Sequence, residues 1–141
     1  MVEPPGLKPR RRATAAPAAA DRVGELLERK REVGGITVVT AEVDGLDADA
    51  LLDLSDRFKQ RSAPAAVVLG TRDDGKVHLV ANFDESVASR ISASDVVKQA
   101  AEVVGGGGGG RPTMARAGGK DPEKLPEALD AAQRLIMEAL S

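Results

Sequence analysis

The chain has no cysteine, tryptophan or tyrosine, and only two phenylalanines and one histidine among 141 residues. Each shortage removes a class of chemistry. Without cysteine there is no disulfide, no thiol nucleophile and no thiolate ligand, and one imidazole cannot assemble a zinc site. Ser/His/Asp catalysis would have to use His78, which stands in an expected strand with no partner legible in the pattern. So few aromatics argue against a base-stacking platform for single strands. Contact with a folded RNA through phosphate and sugar needs no aromatic face and stays open. An excess of one charge is lacking too: 20 Lys+Arg stand against 22 Asp+Glu, a formal charge of −2. Any polyanion must therefore be met by a local patch. No run approaches the roughly 18 apolar residues that a membrane span requires. A cytoplasmic location is the default expectation.

What the chain does have is glycine. Six in succession, Gly105, Gly106, Gly107, Gly108, Gly109 and Gly110, run into Arg111-Pro112 and then Ala117-Gly118-Gly119-Lys120. Such a run cannot make a stable helix or a packed strand by itself, so it reads as a loop. On composition alone it is a flexible connector. Beside Arg111, Arg116 and Lys120, its bare amides can instead approach an anionic backbone closely. Each candidate has a plainer reading. Arg111 can cap the preceding helix or pair with a carboxylate. Arg116 and Lys120 can simply be solvated. Gly118-Gly119 reads as a turn needing positive φ, and His78 as structural or surface.

Residues 1–20 read as a disordered tail in which Pro4, Pro5, Pro9 and Pro17 punctuate an Ala/Arg stretch. Its Lys8, Arg10, Arg11 and Arg12 suit nucleic-acid contact or an organellar address, though the prolines spoil the amphipathic helix an address requires. Residues 21–35 read as a short helical segment: a helix over 21–32, capped by Asp21, with the thin stripe Val23, Leu26 and Leu27, ended by Gly34-Gly35. Residues 36–141 read as one globular unit. A β-branched strand covers 36–43, and a helix over 47–61 carries Leu51, Leu54 and Phe58 at helical spacing. Ala65–Gly70 is apolar enough for a central strand buried on both faces. A turn at 73–76 joins it to the alternating segment 77–83. Ser92–Asp95 fits a capping box before a helix over 95–104. The stretch 113–117 is too short to assign. A last helix starts after Asp121-Pro122 or at Pro126 and carries Leu129, Ala132, Ile136 and Leu140 on one face. The expected fold class is α/β, a small mixed sheet with packed helices.

The segment from Val104 through Gly119, with its long glycine run, Arg111-Pro112 and nearby Gly118-Gly119, resembles the glycine-rich signature at the C-terminus of alanyl-tRNA synthetases. The elements before it agree in order: a strand ending Val43-Asp44-Gly45-Leu46, a leucine-rich helix, then Val67-Val68-Leu69 hairpinned to Lys76–Ala81. In that family the unit is the DHH-associated domain of the C-Ala region, and the resemblance covers about 36–141. The chain departs from the family at Thr113 and Arg116, where Asp and Gln are common. The resemblance implies a non-catalytic, cofactor-free module that holds the outer corner of tRNA(Ala) in support of aminoacylation and editing. It implies RNA contacts at Gly105–Gly110, Arg111, Arg116 and Lys120, and a synthetase catalytic portion in cis or in trans. The family's aminoacylation core is far larger than this chain, and its editing zinc site uses His and Cys residues that one histidine and no cysteine cannot replace. Two alternatives stay open. One is a nucleotide- or phosphate-binding domain of DHH phosphoesterase type, whose metal motifs lie in a separate domain. The other is a homo-oligomerisation module working through residues 21–32 or the terminal helix.

Overall fold

Pleated, β-branched segments and amphipathic helices alternate along the chain, and they assemble as helix layers on both faces of one sheet. The computed structural model describes residues 26, 29–43, 46–62, 64–73 and 75–140. In chain order these form β1 (Arg31–Val33), β2 (Ile36–Glu42), α1 (Ala48–Ser62), β3 (Ala65–Asp73), β4 (Lys76–Phe83) and α2 (Glu85–Ala88). Then come α3 (Ala93–Val103), β5 (Gly107–Gly110), β6 (Met114–Gly119), a 3-10 turn (Pro122–Lys124) and α4 (Leu125–Leu140). The six strands lie in the order β1-β2-β3-β4-β6-β5. Only β2 and β3 run parallel, joined across α1; the other neighbours are antiparallel. The mixed α/β sheet expected from the sequence is what forms.

The alternation of each strand divides two cores. Val38, Ala66, Val68, Val77, Leu79, Ala81 and Phe83 face α3 and α4, meeting Val96, Val97, Ala100, Leu129, Ala132 and Ile136. Val39, Ala41, Ala65, Val67, Leu69 and Val80 face the other way, onto Leu51, Leu54 and Phe58 of α1. Each core thus holds one of the two phenylalanines, and both rings are fully buried. Strand β3 is buried along its apolar run, as its composition predicts. Its hairpin to β4 turns at Gly75 (φ 78°), with Asp73 opposite Lys76. Asp47 caps α1, its Oδ1 accepting from Ala50 N at 2.8 Å. Ser92 caps α3, its Oγ accepting from Ser94 N at 3.1 Å. Among the described residues no helix is long and apolar enough to cross a membrane.

Three expectations change. The helix expected over 21–32 does not extend to its predicted end: Leu26 and Arg29 are helical, but Arg31–Val33 pair with β2 as β1. The cause is Gly34-Gly35, whose φ values of 58° and 83° make the two-residue turn that matches the twist of a hairpin. Leu26 is buried among the α1-side core. The glycine run, expected as a loop, becomes an edge strand at Gly107–Gly110 because β6 supplies the partner that the run lacks by itself. Gly118-Gly119 lie inside β6 rather than at a positive-φ turn. A Cβ at Gly119 would come within 2.6 Å of Val104 O, so that glycine admits the end of α3. The tail expected over 1–20 lies outside the described residues.

Candidate nucleic-acid interface

The six glycines do not share one job. Helix α3 runs out at Val103, and Gly105 (φ 70°) reverses the chain beyond it. Gly106 N donates to Ala101 O at 2.8 Å and Gly105 N to Glu102 O at 3.3 Å. This 6→1 and 5→2 pair is a Schellman cap, so the helix end is closed by main chain and has no need of Arg111. Beyond the cap, β5 lies so close to β6 that alternate residues have no room for a side chain. A Cβ at Gly106 would overlap Gly118 O, and one at Gly108 would overlap Arg116 O and Ala117 Cα. At Gly110 it would come 2.7 Å from Met114 O. The intervening pair differs. A Cβ at Gly107 meets nothing within 4 Å, and one at Gly109 makes ordinary contact with Lys98 Cε at 3.4 Å and Ser94 Oγ at 3.5 Å. Neither has a positive φ.

Strand β5 is the last strand of the sheet, so one of its edges pairs with β6 and the other turns its N–H and C=O groups outward. Gly107, Gly108 and Gly110 are exposed and Gly109 is half-buried. The turn between β5 and β6 is clamped. Arg111 N donates to Met114 O at 2.8 Å, Ala93 N to Pro112 O at 2.8 Å and Phe83 N to Thr113 O at 2.7 Å. Arg111 therefore projects from a turn tied to α3 and to β4. Its side chain is exposed and makes no ion pair among the described residues.

The structure separates the other sequence candidates. Arg116 lies on the α1 side of the sheet, where its Nη1 approaches Asp49 Oδ1 at 3.4 Å. Both side chains are well exposed, so that pair is worth about 0–1 kcal/mol and leaves the guanidinium accessible. Lys120 lies at the other end of the strand pair from Arg111, its N donating to Val104 O at 2.8 Å. The start of the run also faces a carboxylate: a Cβ at Gly105 would stand 3.4 Å from Asp121 Oδ2. An anion is thus better accommodated toward Gly107–Arg111 than at Gly105. There α3 adds Lys98 and Ser94, two residues that the sequence reading missed. They stand at i, i+4 on one helix face, but only the packing of α3 over β5 reveals what that face covers.

His78 is half-buried in β4, opposite Thr71 and Gly118. Among the described residues no three His, Cys, Asp or Glu side chains converge as a metal site. The most buried polar network joins α1 to β4: Asn82 Nδ2 donates to Ser55 Oγ at 3.0 Å and to Asp56 Oδ1 at 2.6 Å, and Lys59 Nζ to Asn82 Oδ1 at 2.9 Å. Its groups are spent on one another, which makes it a strap between layers.

Known proteins are similar to this chain in sequence and in fold. The DHHA1 domain family matches residues 35–138. The alanine–tRNA ligase of Ralstonia nicotianae is 46% identical over 111 residues, 79% of this chain and 13% of the ligase. That of Anaeromyxobacter dehalogenans is 42% identical over 124 residues, 88% of this chain and 14% of the ligase. The chain thus spans only a small part of the length of the curated relatives it matches. The crystal structure of the C-Ala domain from Aquifex aeolicus alanyl-tRNA synthetase agrees with a TM-score of 0.66 at 30% identity, covering 79% of this chain and 97% of that one. The chain belongs to the DHHA1 domain family, matching the C-terminal region of alanine–tRNA ligase and the fold of its C-Ala domain.

Proposed function

We propose that this chain is a non-catalytic tRNA-binding module that engages the outer corner of tRNA(Ala) and supports aminoacylation and editing by a synthetase catalytic portion in the cytoplasm. One observation carries the reading: Gly107 and Gly109 are glycines that the fold does not require. Steric overlap with β6 accounts for Gly106, Gly108 and Gly110, and the helix cap accounts for Gly105. Among the described residues nothing meets a Cβ at Gly107, and at Gly109, half-buried against Ser94 and Lys98 of α3, a methyl group makes only ordinary contact. A bare outer edge lets a sugar–phosphate chain lie against the main chain, with Lys98 and Arg111 at hand to neutralise phosphates. Arg116 and Lys120 flank this surface from the α1 side and from the far end of the strand pair. Readout of shape through phosphate and ribose asks for no aromatic residue, in keeping with the composition.

The test is titration of the full chain with tRNA(Ala), a non-cognate tRNA and AMP. Saturable tRNA binding is expected to weaken with salt. Arg111→Ala and Lys98→Ala are each expected to lower the salt slope by about one contact's worth. Absence of tRNA binding at low salt defeats the reading. AMP competing as well as tRNA replaces it with a nucleotide-binding domain of DHH phosphoesterase type.

A further inference from the structure

A second set of cations lies at the opposite edge of the sheet. Arg29, Lys30 and Arg31 lead into β1 and line a cleft of about 420 Å³ with Val38 and Thr40 of β2 and Gln133 of α4. All three cations are exposed, and none makes an ion pair among the described residues. The acids of the adjoining hollow, Glu42 and Asp130, are already matched. Arg72 Nε stands 2.8 Å from Glu42 Oε2, and Arg134 Nη2 stands 3.2 Å from Asp130 Oδ2. Thr40 Oγ1 donates to Gln133 Oε1 at 3.1 Å, which occupies the carboxamide oxygen and leaves its N–H groups as donors. The cleft therefore gathers three positive charges that have no ion-pair partner among the described residues, together with an amide donor, in a concavity, where a field is focused. Its volume falls within the roughly 300–1,000 Å³ of small-ligand sites.

We propose that this cleft is a second phosphate site, taking a phosphodiester and its ribose from the same folded RNA that lies along β5. The proposal rests on the tRNA reading above. Both sites lie on the side of the sheet that carries α3 and α4, since Val38 joins that core and Thr40 bonds to α4. Five strand spacings of about 4.8 Å separate β1 from β5, roughly 24 Å. A mononucleotide cannot reach both edges, whereas a folded RNA of tRNA dimensions can. Two linked contacts then bind more tightly than either alone.

The experiment compares the full chain with an Arg29→Ala/Lys30→Ala/Arg31→Ala variant and with Gln133→Leu. A control removes equally exposed cations elsewhere, Arg57→Ala/Arg61→Ala/Lys76→Ala. Titration with tRNA(Ala) across a salt series is joined by backbone footprinting of the RNA. The cleft triple is expected to lower tRNA affinity at least tenfold at low salt, on the order of two to three counterions' worth of slope. It should erase one protected patch of RNA while leaving the patch that Arg111→Ala erases. Gln133→Leu should weaken binding severalfold with the slope unchanged. Loss no greater than in the control, with both patches intact and Gln133→Leu silent, overturns the cleft while the β5 site stands. AMP filling the cleft as tightly as tRNA also overturns it. A wild-type chain that does not bind tRNA overturns both readings.

Discussion

Gly108 and Gly110, with Gly106 just before the strand, alternate with Gly107 and Gly109, yet the two sets answer to different constraints. The first set faces the main chain of β6, where the atoms that a Cβ would strike belong to backbone and cannot rotate away. The second set is not pressed against β6: Gly107 faces open space, and Gly109 faces Ser94 and Lys98 of α3 at ordinary contact distance. Glycine in the first set is explained by packing. In the second set packing does not demand glycine, least of all at Gly107, and a glycine there costs stability through the freedom of the unfolded chain. A low-complexity run of one residue is therefore a structural element on one side and a candidate contact surface on the other.

The sharpest way to break this distinction is alanine at Gly108. Its methyl must displace β6 or β5, so urea denaturation is expected to show a loss of about 3 kcal/mol, the upper range of overpacking penalties. Wild-type stability would mean that the two strands are not paired in the register described. Gly34 provides a comparison governed by φ instead of proximity. At φ 58°, with a Cβ only 3.3 Å from Leu140 O, Gly34→Ala should cost about 1–2 kcal/mol in the same measurement. The smallest expected effect on stability is at Gly107, where alanine should raise it by about 0.4–1 kcal/mol. The same variant should bind tRNA several times more weakly. A stabilised Gly107→Ala protein with unchanged tRNA affinity would show that the outward glycines do not serve the ligand.

Much of the fold was legible because its signals are local. Alternation at Val77, Leu79, Ala81 and Phe83 places one face of β4 on a core, and the spacing of Leu51, Leu54 and Phe58 defines the buried side of α1. Ser92 ends its loop as a helix cap whatever lies above it. The helical reading of 21–32 went too far because Arg31-Glu32-Val33 carries no alternation strong enough to announce a strand. Only the double-glycine turn and the waiting edge of β2 make it one. Gly118-Gly119 misled for a similar reason, since glycine reads as a turn until a neighbour's backbone is known to need the space.

The candidate site was legible as a motif and illegible as a geometry. The glycine run, Arg111 and the likeness to the synthetase C-terminus stand in the linear order of residues. The split of Arg111, Arg116 and Lys120 onto different parts of the strand pair does not. Nor does the arrival of Lys98 beside Gly109. The sequence by itself determined the three central strands and the main helices, because propensity and periodicity act over a few residues. The glycine-rich motif carried the family resemblance, while β1, β5 and β6 were not legible in the sequence. The tertiary structure alone decided that β6 inserts between β4 and β5, which leaves the glycines at an edge, alternate ones jammed against β6 and Gly107 facing open space. Strand order depends on partners far apart in the chain, and no local pattern encodes it.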